Sequence, residues 1–293
     1  MVTLVKKTIN RKVVYYLRHN IRVKGKHKTV ERYLGDRLPK DLEYVMLDFF
    51  RRIHRKGYEH VEKTKKKWTT AERRIPESVI KKNLKEFGIR FTYNTNRIEG
   101  STLSIKDTFS VIERGMTPDN KPIEDIKEAE NHFKVFNEML ELKNLNLSLV
   151  LKWHYGIFKD TKKDVAGKVR DYQVKISGSK FMPPSPVEIN PMLKEFFRWL
   201  DKNWDRYDAV DLAGLAHLKF VTIHPFGDGN GRISRLIMNW ILWRKDYPMF
   251  IIEYRNRVRY YTSLERAQVK KNQFIFLGWF TKNYIRFIEK EFK

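Results

Sequence analysis

Twelve consecutive residues, His224-Pro225-Phe226-Gly227-Asp228-Gly229-Asn230-Gly231-Arg232-Ile233-Ser234-Arg235, constrain this chain more than any other stretch. Glycines alternating with Asp228 and Asn230 signal a tight loop with exposed backbone rather than strand or helix. The apolar-periodic run Leu236 to Trp243 then predicts a helix, so the loop opens onto a helix N-terminus. Free N–H groups and the positive end of the helix dipole make that a ready anion site. Arg232 and Arg235 lie three apart on the first turn, where two guanidinium forks can grip one polyphosphate. Asp228 is a hard oxygen ligand suited to Mg²⁺ beside phosphates, and His224 is the one group here that takes up a proton near neutral pH. A turn alone needs neither the histidine nor both arginines.

The stretch resembles, without a gap, the HxFx(D/E)GNGRxxR signature of the Fic family. The resemblance extends over roughly residues 92 to 270. It implies an all-α fold, a Fic helical core with a short β-hairpin flap, and transfer of AMP from ATP to a Ser, Thr or Tyr hydroxyl of a target protein. On that reading His224 is the base and Asp228 holds Mg²⁺. Asn230 fixes the loop and contacts the α-phosphate, Arg232 sits on the phosphates, and Arg235 seats the γ-phosphate. The main chain of Gly227, Gly229 and Gly231 completes the phosphate cradle.

Upstream, residues 78 to 94 have helical spacing and lead to Thr95-Asn96-Arg97-Ile98-Glu99-Gly100. Gly100 is placed as the residue just past a helix C-terminus. A carboxylate in a last helical turn sits against the helix dipole, so Glu99 needs a cation. The pattern resembles the inhibitory (S/T)xxxE(G/N) motif of Fic proteins whose inhibitory helix (here about 92–100) precedes the catalytic core, and the resemblance pairs Glu99 with Arg235. An arginine fork held by a carboxylate cannot also hold a phosphate.

Downstream of helices expected over Pro122–Leu142 and Leu147–Phe158, the segment 166–186 breaks the helical period. Tyr172, Val174 and Ile176 alternate before Gly178 and Pro183-Pro184-Ser185-Pro186, which predicts a short hairpin. In the family this element is a flap that aligns the target by adding it as a strand, with Val174 and Ile176 as its target-binding residues. Further helices are expected over 189–204 and 208–223. The sequence Tyr260-Tyr261-Thr262-Ser263-Leu264-Glu265-Arg266-Ala267 resembles the family segment that closes over adenine, with Tyr261 as stacking wall and Gln268 where an asparagine is expected. His132, His154 and His217 have no zinc-type spacing and read as structural.

Residues 1–75 stand outside the resemblance and form a basic appendage to the catalytic region 76–293. They carry 22 Lys and Arg against 8 Asp and Glu, within a chain of net charge +25. Two β-rich runs, 13–17 and 29–34, flank a Lys24-Gly25-Lys26 turn and predict a β-hairpin. Residues 41–55 predict a helix, and Lys63 to Lys67 an exposed linker or helix end. Basic residues interleaved with Tyr15, Tyr16 and Tyr33 suit nucleic acid, although strand tyrosines also serve in packing. The absence of cysteine excludes disulfides, thiolate metal sites and a cysteine nucleophile. Without a membrane-length apolar run or a signal peptide, the expected location is cytoplasmic. The expected partners are a target protein, the chain itself in self-modification, and a second copy in a homodimer. Three other readings stand beside AMP transfer: removal of AMP from proteins, Doc-type phosphotransfer, and a nucleic-acid-binding regulator with a nucleotide-sensing core.

Overall fold

A computed structural model describes residues 1–23 and 26–292. The chain opens with an antiparallel sheet in the order β1 (Val2–Ile9), β2 (Lys12–Val23), β3 (Lys26–Gly35). This is one strand more than the expected hairpin. Asn10 and Arg11, both at positive φ (49° and 63°), make the two-residue turn joining β1 to β2. Such a turn matches the twist of the strands it joins and usually advertises itself with glycine; here it does not. The expected turn at Lys24 and Gly25 lies outside the described residues. One face of the sheet packs inward through Leu17 and His19, the His19 ring lying edge-on to Phe50 and His54.

Two helices follow, α1 (Leu42–Ile53), N-capped by Asp41, and α2 (Arg55–Glu72). The tract Lys63 to Lys67 lies in the middle of α2 rather than in a linker. A helix surface solvates a lysine run as readily as a loop does. Arg51 of α1 pairs with Asp208 at 2.9 Å and with buried Asp211 at 3.4 Å, and the Tyr58 hydroxyl of α2 also donates to Asp211. These bonds seat the appendage on the helical core.

The remainder is helical, as expected: α3 (Glu77–Ile98), α4 (Ile105–Arg114), α5 (Ile123–Glu141), α6 (Leu147–Phe158), α7 (Pro186–Asn203), α8 (Ala209–Ile223), α9 (Asn230–Arg244), α10 (Arg257–Val269) and α11 (Gln273–Glu291). Helix α8 is buried on nearly every face, as its all-round apolar sequence requires. Helix α9 packs along it and is flanked by α3, α5 and α6. The six residues 224–229 between α8 and α9 are therefore held between two core helices, which gives a glycine-rich loop a rigid footing. Glu99 caps α3, and Gly100 follows at φ 106°. The bonds Ser101 N to Asn96 O (3.0 Å) and Gly100 N to Arg97 O (3.3 Å) close the end as a Schellman motif.

The flap differs from its expected form. Among the described residues of 166–186 no strand pairs with another; the segment is a loop turning at Ser177 and Gly178. Prolines 183 and 184 remove the donors that the return limb of a ladder needs. Side chains take the ladder's place, Gln173 Nε2 donating to the Pro183 carbonyl at 3.1 Å. No helix among the described residues is long and apolar enough to cross a membrane.

Candidate active site

His224 ends α8 in the left-handed region, at φ 52° and ψ 56°. That conformation is uncommon for a residue with a side chain and persists only where the surroundings enforce it. The Arg170 main-chain N–H donates to Pro225 O at 2.9 Å, and its Nε donates to the His224 carbonyl at 2.9 Å. The same guanidinium reaches Tyr172 O at 2.7 Å and Pro184 O at 2.6 Å, so buried Arg170 ties both limbs of this loop to His224. His224 Nδ1 faces the Val221 carbonyl at 3.3 Å, which assigns the proton to Nδ1 and leaves Nε2 as the acceptor. Burial lowers its pKa below 6.5, so the ring is neutral at neutral pH.

The loop is shaped by Asn230 and braced from behind. Both ends of the Asn230 amide bond Phe226, Oδ1 accepting from its N–H at 2.9 Å and Nδ2 donating to its carbonyl at 2.8 Å. Its side chain is therefore a loop clamp. The first main-chain bond of α9 runs from Ile233 to Gly229. The N–H groups of Asn230, Gly231 and Arg232 precede it without helical acceptors. Gly229 turns the chain at φ 80°, and a Cβ there would strike the Phe158 ring. His154, read as structural, does more than pack. Its Nδ1 accepts from Gly167 N–H at 2.9 Å, its Nε2 donates to the Asp228 carbonyl at 3.0 Å, and its ring stacks on Phe226 at 3.9 Å.

A ring of charges surrounds Asp228. Its Oδ1 accepts the Gly229 N–H at 2.6 Å, while its Oδ2 meets Lys162 Nζ at 2.5 Å and Arg232 Nη2 at 3.4 Å. Burial disfavours the charged carboxylate, but the Arg232 charge and the Lys162 bond outweigh it and hold the pKa at about 2. Arg232 is 3% exposed, pairs with Glu128, lies 3.4 Å from Asn96 Oδ1 and stacks over Phe158 at 4.4 Å. In this arrangement its fork points into the protein, not beside that of Arg235 as the shared helix face suggests. Glu128 and Lys162 went unmarked in the sequence. Glu128 left one trace, a charge three residues before Asn131 on the buried face of α5. Lys162, in a surface lysine pair, left none.

Arg235 is 1% exposed. Its Nη2 meets Glu99 Oε1 at 2.6 Å, its Nε donates to Thr95 Oγ1 at 2.6 Å, and Nη1 lies 3.3 Å from the Tyr260 hydroxyl. Burial disfavours the guanidinium charge; the Glu99 carboxylate more than compensates and raises its pKa. The Glu99 carboxylate also covers the start of α9 so closely that a Cβ on Gly231 would collide with it. It occupies the place where the helix N-terminus favours an anion. Among the adenine-segment residues, Tyr260 is buried in the core, and Tyr261 is 43% exposed with its hydroxyl on the Ile98 carbonyl at 3.1 Å. Gln268 bonds Thr222 Oγ1 at 3.1 Å and lines a groove with Phe181, Met182 and Pro184 of the flap. Val174 and Ile176 are half-buried on the flap, whose Lys180 N–H is anchored to Glu265 at 2.9 Å.

Mg²⁺ suits these residues in one way only. No group of three or more His, Asp or Glu able to cage a metal occurs among the described residues. An ionised, 42% exposed Asp228 beside a helix N-terminus would suit a Mg²⁺ that keeps its waters and shares a nucleotide's phosphates.

Comparison with known proteins places these features in a wider set. The Fic/DOC family profile matches residues 144–242. Over 194 residues the chain is 36% identical to the protein adenylyltransferase Fic of Aedes aegypti, covering 64% of this chain and 38% of that protein. Over 205 residues it is 33% identical to the protein adenylyltransferase fic-1 of Caenorhabditis elegans, covering 66% and 39%. The chain thus spans about two fifths of the length of these relatives. The solved structure of residues 134–508 of C. elegans Fic-1 superposes with a TM-score of 0.69 at 26% identity, covering 86% of this chain and 76% of that one.

Proposed function

We propose that the chain, which is similar to known Fic adenylyltransferases, is a Fic-domain enzyme that moves AMP from ATP to a Ser, Thr or Tyr hydroxyl of a target protein. The observation that carries this reading is the neutral, acceptor-ready His224 beside an uncommitted helix N-terminus, with Arg235 held by Glu99. The target oxygen attacks the α-phosphorus and its proton passes to His224 Nε2. The α–β phosphoanhydride bond breaks and pyrophosphate leaves. Main-chain N–H groups of Asn230, Gly231 and Arg232 stabilise the charge developing on the α-phosphate oxygens. Asp228 would hold a Mg²⁺ ion shared with the nucleotide, which would supply charge neutralisation to the phosphates. Arg235 receives the γ-phosphate when Glu99 withdraws. The flap carries no strand partner along residues 173–176, leaving main chain there for a target segment to pair with.

Incubation with ATP labelled at the α or the γ position, with Mg²⁺, tests the reading. Protein-bound label is expected from the α position alone. Label from the γ position means phosphotransfer and overturns it, and release of AMP from a modified protein without net transfer assigns the site to AMP removal.

We also infer a nucleic-acid role for residues 1–75, resting on the open face of the sheet. Tyr16 and Tyr33 lie side by side there, ring centres 5.2 Å apart, with Tyr33 59% exposed. Lys7 lies over the Tyr16 ring at 4.3 Å, and Arg18 and Lys12 share the face. Exposed rings beside cations suit single strands, where each stacked base contributes about 1–3 kcal/mol. The full chain is expected to bind a labelled single strand in 50 mM salt and to lose most of that affinity in 200 mM salt. Tyr33→Ala should weaken binding about fivefold or more. Unchanged anisotropy at low salt removes this role and leaves the transferase reading intact.

A further inference from the structure

Asp228 is fully engaged before any metal arrives, and the group that engages it most closely is one no sequence motif marked. Lys162 lies in the turn after α6, its main-chain N–H on the Phe158 carbonyl at 2.9 Å. Its ammonium lies 2.5 Å from Asp228 Oδ2, 3.3 Å from Glu128 Oε1 and 5.1 Å from the centre of the Phe158 ring. We propose that Lys162 is a resident counter-cation of Asp228 that Mg²⁺ must displace, so that metal entry is a second condition for seating the nucleotide, separate from the withdrawal of Glu99. The proposal rests on the reading of Asp228 as the metal's only protein ligand.

The geometry forces the competition. Mg²⁺ demands its oxygens at about 2.0–2.1 Å, and an ammonium already sits on the same carboxylate oxygen. A divalent ion brought to that oxygen would repel the ammonium 2.5 Å away, so metal entry opposes the Lys162 contact. Arg232 cannot be the one that moves, being 3% exposed and clamped by Glu128. Lys162 can. Its side chain is 39% exposed, sits on a flexible four-carbon stem, and has Glu128 within reach as an alternative partner. The Glu128 carboxylate thus serves two cations, anchoring Arg232 and offering Lys162 somewhere to go. Without the ammonium the carboxylate would face solvent on its open side and take the metal unopposed.

The test reads binding, not turnover. A Glu99→Gly background keeps the nucleotide site open, and calorimetry with an ATP analogue that cannot be cleaved between the α- and β-phosphates is run across a series of free Mg²⁺ concentrations. Lys162→Met in that background is expected to reach half-maximal nucleotide binding at about three- to tenfold lower Mg²⁺, the range for losing one partly exposed ion pair. Lys162→Arg keeps a cation on Asp228 and is expected to keep the high Mg²⁺ requirement, which separates displacement from general loosening of the loop. Matching Mg²⁺ curves for Lys162→Met and its parent overturn the proposal. So does weaker binding of Lys162→Met in both EDTA and Mg²⁺, which makes Lys162 a phosphate ligand instead. Neither outcome depends on which group is transferred. Label from γ-ATP would sink the AMP reading with this proposal standing, and matched Mg²⁺ curves beside intact α-label transfer would sink this proposal alone.

Discussion

His224→Ala is expected to bind ATP with near-unchanged affinity and to transfer AMP about 10²–10⁴-fold more slowly, the range for loss of a general base. Binding survives because the ring's hydrogen bond is to the Val221 carbonyl, while the anion-binding N–H groups belong to residues 230–232. His224→Asn is the better-behaved companion, since asparagine tolerates the left-handed backbone that alanine resists. The pH dependence gives a second readout. The base must be neutral, and burial lowers its pKa, so activity should persist into mild acid and fall with a midpoint below 6.5. Both are measured in the Glu99→Gly background by α-label incorporation. Transfer by His224→Ala at more than about a tenth of the parent rate would remove His224 as the base.

Glu99→Gly is expected to raise AMP transfer by about ten- to a hundredfold. The contact removed is a 2.6 Å charge-assisted bond to a guanidinium that is 1% exposed. Such a bond contributes about 1.5–3 kcal/mol, which converts to roughly a ten- to 150-fold shift in the competition for Arg235. The substitution also uncovers the start of α9 at Gly231. It should carry a characteristic penalty: Arg235, left buried without its carboxylate, destabilises the nucleotide-free protein. Tm of Glu99→Gly without ligand should therefore fall, and Mg²⁺–ATP should raise it by more than it raises that of wild type. Glu99→Gln, which keeps the shape and loses the charge, should behave alike in rate. A Glu99→Gly protein no faster than wild type would end the inhibitory reading, whatever its stability.

The two readings of the flap show where sequence patterning stops. Alternation at Tyr172, Val174 and Ile176 predicts a strand, because period two is a property of one strand's backbone, yet no strand pairing forms there. Whether a second limb pairs with it depends on donors that Pro183 and Pro184 lack, and on Arg170, which reaches Tyr172, Pro184 and His224 at once. The β1–β2 turn shows the converse. Asn10 and Arg11 adopt positive φ without a glycine to announce it, so a strand pair was overlooked where the local signal was silent.

By itself the sequence determined the helical architecture after residue 76, the cap at Gly100, and the loop of 224–229 between two helices. These follow from contacts within a few residues, which a local pattern encodes. Apart from the Glu99–Arg235 pair that the family resemblance implied, the tertiary structure alone decided which carboxylate meets which cation. Glu99 reaches Arg235 across 136 positions, Glu128 reaches Arg232 across 104 and Lys162 reaches Asp228 across 66. A charged side chain in a sequence carries no mark of its partner, because an ion pair is chosen by distance in space and by burial. Both come into being only when α3, α5 and α6 close around the start of α9.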